Sequence, residues 1–138
     1  MKVRPLADIV NGLLVRDQKV LMAHRSPSRI NYPCTWSFTG GHVEDGETHE
    51  QALKRELSEE IGVIANSWSF LKRFVDPTTN PDQPVTFHFF VVSAWEGQPT
   101  NIGDEHTEIR WIKLIDAIQM QDLTFASYVE LFEALGAT

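Results

Sequence analysis

Thr48-His49-Glu50-Gln51-Ala52-Leu53-Lys54-Arg55-Glu56-Leu57-Ser58-Glu59-Glu60-Ile61-Gly62 reads as one helix with both of its ends written in. Thr48 and Gln51 have the spacing of a capping box. Leu53, Leu57 and Ile61 recur every four residues and give a core stripe. Gly62 supplies the left-handed stop. At about 100° per residue, Glu56, Glu59 and Glu60 fall within an arc of about 100°. The apolar stripe takes the adjacent arc, so the carboxylates flank buried ground. Ala52 lies in their arc one turn back, small enough to leave space. Gln51, Lys54, Arg55 and Ser58 take the most exposed arc.

This placement of charge is unfavourable in itself. A like-charge pair at i,i+4 such as Glu56 and Glu60 costs about 0.2–0.5 kcal/mol. The three glutamates sit toward the negative end of the helix dipole, and partial burial adds to the cost. Seven of the nineteen acidic residues lie between Gly40 and Val63: Glu44, Asp45, Glu47, Glu50, Glu56, Glu59 and Glu60. Most charge runs are solvated faces. Here a hard divalent cation would reverse each unfavourable contribution. Gly40-Gly41 lets a backbone carbonyl approach such an ion without obstruction. Carboxylate and carbonyl oxygens suit Mg²⁺ or Mn²⁺, whereas Zn²⁺ prefers Cys and His. The five histidines, at 24, 42, 49, 88 and 106, show no paired ligand spacing and read as surface or core residues.

Outward from the helix, apolar runs predict strands over Leu6–Val15, Lys19–His24, Trp36–Phe38, Trp68–Val75, Val85–Trp95 and Glu108–Ile112. Arg16-Asp17-Gln18 and Glu96–Pro99 are turns, and Asp76–Pro84 is a proline-rich loop. Short helices are expected over Leu114–Met120 and from an N-cap at Thr124 to Gly136. The pattern is α+β, a mixed sheet with helices packed on it. The length of 138 residues suits a single domain over 1–138. The charge of −7 argues against a nucleic-acid polymer as partner. No apolar run approaches the ~20 residues that span a bilayer. Cys34 is the only cysteine and reads as a small packing residue, so a reducing, cytoplasmic setting is expected.

Gly41-His42-Val43-Glu44-Asp45-Gly46-Glu47, seven residues, then Arg55-Glu56-Leu57-Ser58-Glu59-Glu60-Ile61-Gly62-Val63 resembles the box of the Nudix hydrolase family at every fixed position. The resemblance implies an α/β/α sandwich. It implies Mg²⁺- or Mn²⁺-dependent hydrolysis of a nucleoside diphosphate derivative, with water attacking phosphorus. Glu59, Glu60 and the Gly40 carbonyl then match metal ligands, and Glu56 a metal ligand or general base. Arg55 matches the residue that orients the glutamates, with Glu47 pairing to it. Gly41, Glu47 and Gly62 match structural positions. Glu105 is preferred over Glu108 as the extra glutamate that some members carry on a distant loop.

Layout from Gly12 to Gly41 resembles the MutT-like branch, which acts on nucleoside triphosphates, and Arg25 matches its phosphate-contacting arginine. Trp36 and Phe125 are candidate walls for a base. Two departures stand out: Thr39 replaces a proline, and Leu123–Tyr128 has no base-reading asparagine. Dinucleoside polyphosphate or ADP-ribose hydrolysis, or a non-catalytic nucleotide-binding module, are the alternatives. The expected partner is a small nucleotide, without a membrane, for a monomer or homodimer.

Overall fold

The computed structural model describes residues 7–30, 32–76 and 84–136. The loop expected over 76–84 lies, apart from its two ends, outside the described residues.

The strand β1 (Asp8–Arg16) organises the fold. Successive side chains of a strand point to opposite faces. Val10 and Leu14 enter one apolar cluster and Leu13 another, so β1 is covered on both faces. At Arg16 the chain turns through Asp17 (φ 53°) and Gln18 (φ 63°), and Arg16 pairs with Lys19. Two consecutive left-handed residues make the turn type whose twist matches a hairpin. β2 (Lys19–Arg25) then leaves β1 and pairs antiparallel with β3 (Trp36–Ser37) and β7 (His106–Lys113). β1 itself lies between β4 (Thr39–His42), antiparallel, and β6 (Val85–Glu96), parallel. β5 (Ile64–Asp76) adds antiparallel to β6.

Helix α1 (His49–Ile61) has the expected ends. Thr48 and Gln51 form the reciprocal capping box, and Gly62 closes the helix at φ 70°. Its Leu53, Leu57 and Ile61 pack with Val10, Leu14, Leu21, Phe90 and Val92. α2 (Leu114–Ala117) and α3 (Tyr128–Ala134) contribute to the other cluster with Leu13, Phe38, Phe87 and Phe89. The result is a mixed sheet between helical layers, as the sequence predicts.

Several boundaries differ for identifiable reasons. β1 begins at Asp8; Leu6 is outside the described residues. β4 was not expected, because Gly40-Gly41 has poor strand propensity. Tertiary contact makes it a strand: a Cβ on Gly40 would lie 1.9 Å from the Val10 carbonyl oxygen, so only glycine lets the two backbones pair here. β5 runs well before Trp68, following β6 through register shifts that hide its alternation. β7 starts at His106, two residues earlier than expected, and α2 stops at Ala117. Thr124 is not an N-cap. Its N–H and hydroxyl donate to the Trp36 carbonyl at 2.9 and 3.1 Å, which ties this segment to β3 and delays α3 to Tyr128. Cys34 is exposed, at φ 60°, and is not the core packing residue expected. Among the described residues no helix is long and apolar enough to cross a membrane.

Candidate active site

Arg55 is the hub of the acidic cluster. Its Nε donates to Glu47 Oε2 at 2.6 Å and its Nη2 to Glu47 Oε1 at 3.0 Å, a bidentate pair. Nη2 also donates to the His42 carbonyl at 2.9 Å, and Nη1 reaches Glu56 at 2.9 Å and Glu59 at 3.2 Å. Arg55 is therefore half-buried at the centre of the carboxylates, not on the exposed arc assigned to it. Glu47 in turn accepts the Glu44 N–H at 2.9 Å, which closes the loop before the helix. The Arg55 hydrogen bond, then that N–H, hold the Glu47 carboxyl down at about 2. The same pairing raises the Arg55 guanidinium.

Glu56 is 8% exposed, and burial raises its pKa against the opposing pull of Arg55. It lies against Gly41, where a Cβ would meet its carboxyl carbon at 2.5 Å. Gly41 is thus needed for space, not for an unusual backbone angle. Ala52 leaves no open ground beside these carboxylates; it is fully buried in the α1 cluster. Glu59 is exposed, with 58% of its side chain accessible.

Glu60 meets Glu105 from the loop before β7. Burial, followed by the hydrogen bond and charge of Glu105, pushes the Glu60 carboxyl up to about 8. One ligand atom each from Glu60, Glu105 and His106 lie within 4.8 Å of one another. Of the two loop candidates, Glu105 therefore joins the cluster. Glu108 is instead paired with Arg110 at 2.9 Å on β7. His106, like the other histidines, carries no ligand spacing in the sequence. It is buried, with Nδ1 3.9 Å from Glu60, and burial lowers it to about 4. The only sequence signal for it was its position next to Glu105.

Arg25 ends β2 close to this group. Burial lowers its guanidinium pKa, Arg29 adds to that, and Glu105, Tyr128 and Tyr32 oppose it. Its backbone pairs in register with His106, next to Glu105. Phe125 stands in an aromatic group, 5.0 Å from Tyr32, 5.2 Å from Phe74 and 5.2 Å from Phe87 between ring centroids. Phe125, Tyr32 and Phe74 are all partly exposed. Trp36 is 7% exposed, with its ring 4.9 Å from that of His24 and the Arg110 guanidinium over it, so it presents little open surface.

Asn11 was missed by the sequence reading, which saw only a polar break in an apolar run. It is 5% exposed, and its side-chain Nδ2 has no hydrogen-bond partner among the described residues. It lies between Ile9 and Leu13 on the β1 face turned toward Phe87 and Phe89, and pairs in register with Phe89. A buried unpaired amide costs about 1–3 kcal/mol, so it calls for a reason.

The profile of the NUDIX domain family matches residues 5–134. The 8-oxo-dGTP diphosphatase of Haemophilus influenzae is 43% identical over 76 residues, spanning 55% of this chain and 53% of that protein's length. The nucleoside triphosphatase NudI of Escherichia fergusonii is 32% identical over 129 residues, covering 86% of this chain and 89% of that one. Among solved structures, a MutT NUDIX hydrolase from Burkholderia pseudomallei superposes with a TM-score of 0.81 at 25% identity, covering 93% of this chain and 97% of that one.

Proposed function

The chain belongs to the NUDIX domain family and is a hydrolase of that family; from that premise we propose that it is a Mg²⁺- or Mn²⁺-dependent pyrophosphohydrolase that cleaves a nucleoside triphosphate to the monophosphate and pyrophosphate. The observation that carries this reading is the convergence of Glu56, Glu59, Glu60 and Glu105 on one place, with Arg55 the cation that ties the first two. The arrangement suits a hard ion. Its donors are carboxylate oxygens, it keeps a half-buried carboxyl protonated up to about 8, and glycine at 41 leaves room for Glu56. Glu56, Glu59, Glu60 and the Gly40 carbonyl would hold the ion. A divalent ion there supplies neutralisation of phosphate charge and a more acidic attacking water.

The protein groups do the rest. Arg55, clamped by Glu47, fixes the rotamers of Glu56 and Glu59, so the ligand set is organised before substrate arrives. Glu105 accepts the proton of the attacking water, a role suited to a carboxylate that stands beside Glu60 at the edge of the ligand set. Arg25 contacts a substrate phosphate, and Phe125 with Tyr32 and Phe74 stacks the base. Asn11 reads the base edge in place of the asparagine that the 123–128 stretch lacks.

The test is pyrophosphate release with Mg²⁺ from canonical and oxidised nucleoside triphosphates, dinucleoside polyphosphates and ADP-ribose, compared by kcat/KM. Nucleoside triphosphates are expected to lead, and Glu60→Gln is expected to lower kcat by at least about 10²-fold with an unchanged circular dichroism spectrum. Wild-type turnover in Glu60→Gln would end the mechanism. Ligand-induced melting shifts without any product would make the chain a binding module.

A further inference from the structure

Asp8, His49 and His88 meet at the N-terminal end of α1, whereas Glu56, Glu59 and Glu60 lie in its second half. They come from three elements: the first residue of β1, the first residue of α1, and the fourth residue of β6. His88 Nε2 is 3.1 Å from Asp8 Oδ1, and His49 Nε2 is 3.8 Å from Asp8 Oδ2. The two imidazole rings lie 4.0 Å apart between centroids, at 32°. One ligand atom from each of the three lies within 4.8 Å of the others. We propose that Asp8, His49 and His88 form a second metal site, independent of the glutamate cluster, that takes Zn²⁺ or a similar borderline first-row ion.

The donor set decides the ion. Two neutral imidazoles and one carboxylate are nitrogen-rich, which suits Zn²⁺ and its neighbours and not Mg²⁺. Metal–ligand bonds of about 2.0–2.1 Å put tetrahedral donor atoms about 3.3 Å apart. The His88–Asp8 distance already meets that spacing, whereas His49, 3.8 Å from Asp8, must turn out of its 4.0 Å ring contact with His88 to bring Nε2 onto the same ion. Each residue is held by its own backbone. The Asp8 carbonyl accepts the Val43 N–H at 2.9 Å, the capping box fixes the turn that presents His49, and His88 sits in a strand flanked by β1 and β5. His88 is 7% exposed, whereas Asp8 and His49 are partly open and leave a side for water. Arg73 of β5 pairs in register with His88. His49 stands ten residues before Glu59, about 15 Å along the helix axis, so one ion cannot serve both places. An ion here would fasten the start of α1 to the sheet, with the remaining coordination position open to water.

A chelator-competition titration of the full chain with Zn²⁺, run in excess Mg²⁺, tests this. Zn²⁺ affinity is expected to fall at least tenfold in His49→Ala and in Asp8→Asn, and to be unchanged in Glu60→Gln. Both substituted side chains are partly exposed, so these variants keep the fold. Zn²⁺ should raise the Tm of wild type and not of His49→Ala, and Co²⁺ should give a visible absorption band that His49→Ala loses. Mg²⁺-dependent hydrolysis should be the same in His49→Ala as in wild type. Undiminished Zn²⁺ binding in both variants, or loss of it in Glu60→Gln alone, would overturn the proposal and leave a plain hydrogen-bonded Asp–His pair.

Discussion

Gly41 and Glu47 show how single residues set this site. A methyl group on Gly41 would overlap the Glu56 carboxyl, at 2.5 Å from its carboxyl carbon. Gly41→Ala should therefore lower kcat at least about tenfold by displacing Glu56, while leaving Mg²⁺-free thermal stability close to wild type, because the flexible glutamate can swing away. Equal losses of activity and Tm would show that the backbone, not Glu56, had moved. Glu47 acts through Arg55. Its carboxyl is held at about 2 against an ordinary value near 4.5, so its ionised pairing stabilises the fold above about pH 4.5. That contribution fades as pH falls from about 4.5 toward 2. Glu47→Gln should flatten the acid side of a Tm-against-pH curve in that window. Asn11→Leu tests the base-reading role: it should compress the spread of kcat/KM among bases while leaving the protein folded. These three residues also mark the limits of sequence reading. Gly41 and Glu47 stand in a spaced pattern and were visible. Asn11 was not, because only the register of β1 against β6 shows which face it takes.

Elements whose signals are local were legible, and those made by partners were not. Helix α1 carries its cap, stripe and stop within consecutive residues, and it forms where expected, at His49–Ile61. β4 and the true start of α3 depend on contact with β1 and β3, so no window of sequence held them. The same contrast holds at the site. Arg55, Glu56, Glu59 and Glu60 lie on one helix, whereas His106 and Glu105 reach Glu60 because β7 pairs with β2 and the loop before it donates its Ile102 N–H to the Glu60 carbonyl at 2.9 Å. Two substitutions weigh these elements. Leu57→Ala, at a fully buried position of the α1 stripe, should cost about 2–5 kcal/mol in denaturant unfolding. Thr48→Ala, which removes only the cap, should cost about 1 kcal/mol. A smaller loss for Leu57→Ala than for Thr48→Ala would mean that α1 is held by its end rather than by its packed face.

Across the whole molecule, the unfavourable placement of charge becomes a link between folding, pH and metal. Glu60 is raised by burial and by Glu105 to about 8, from an ordinary 4.5. The folded apo-protein therefore holds a proton that the unfolded chain releases. Stability from this group is full below about pH 4.5 and is lost as pH rises through about 8. A divalent ion competes with that proton for the same oxygens, so its binding should release protons and strengthen with pH. Saturating Mg²⁺ at about 100 times its dissociation constant adds about 2.7 kcal/mol. The Tm difference between Mg²⁺ and chelator should thus widen from pH 5.5 to pH 8.5, and isothermal titration in buffers of different ionisation enthalpy should count protons leaving as Mg²⁺ enters. Glu105→Gln removes the charge that helps to raise Glu60, so it should narrow the pH dependence of Mg²⁺ binding and shift its midpoint downward. A Mg²⁺ effect on Tm that is flat with pH, with no proton release, would mean that the ion is held without Glu60.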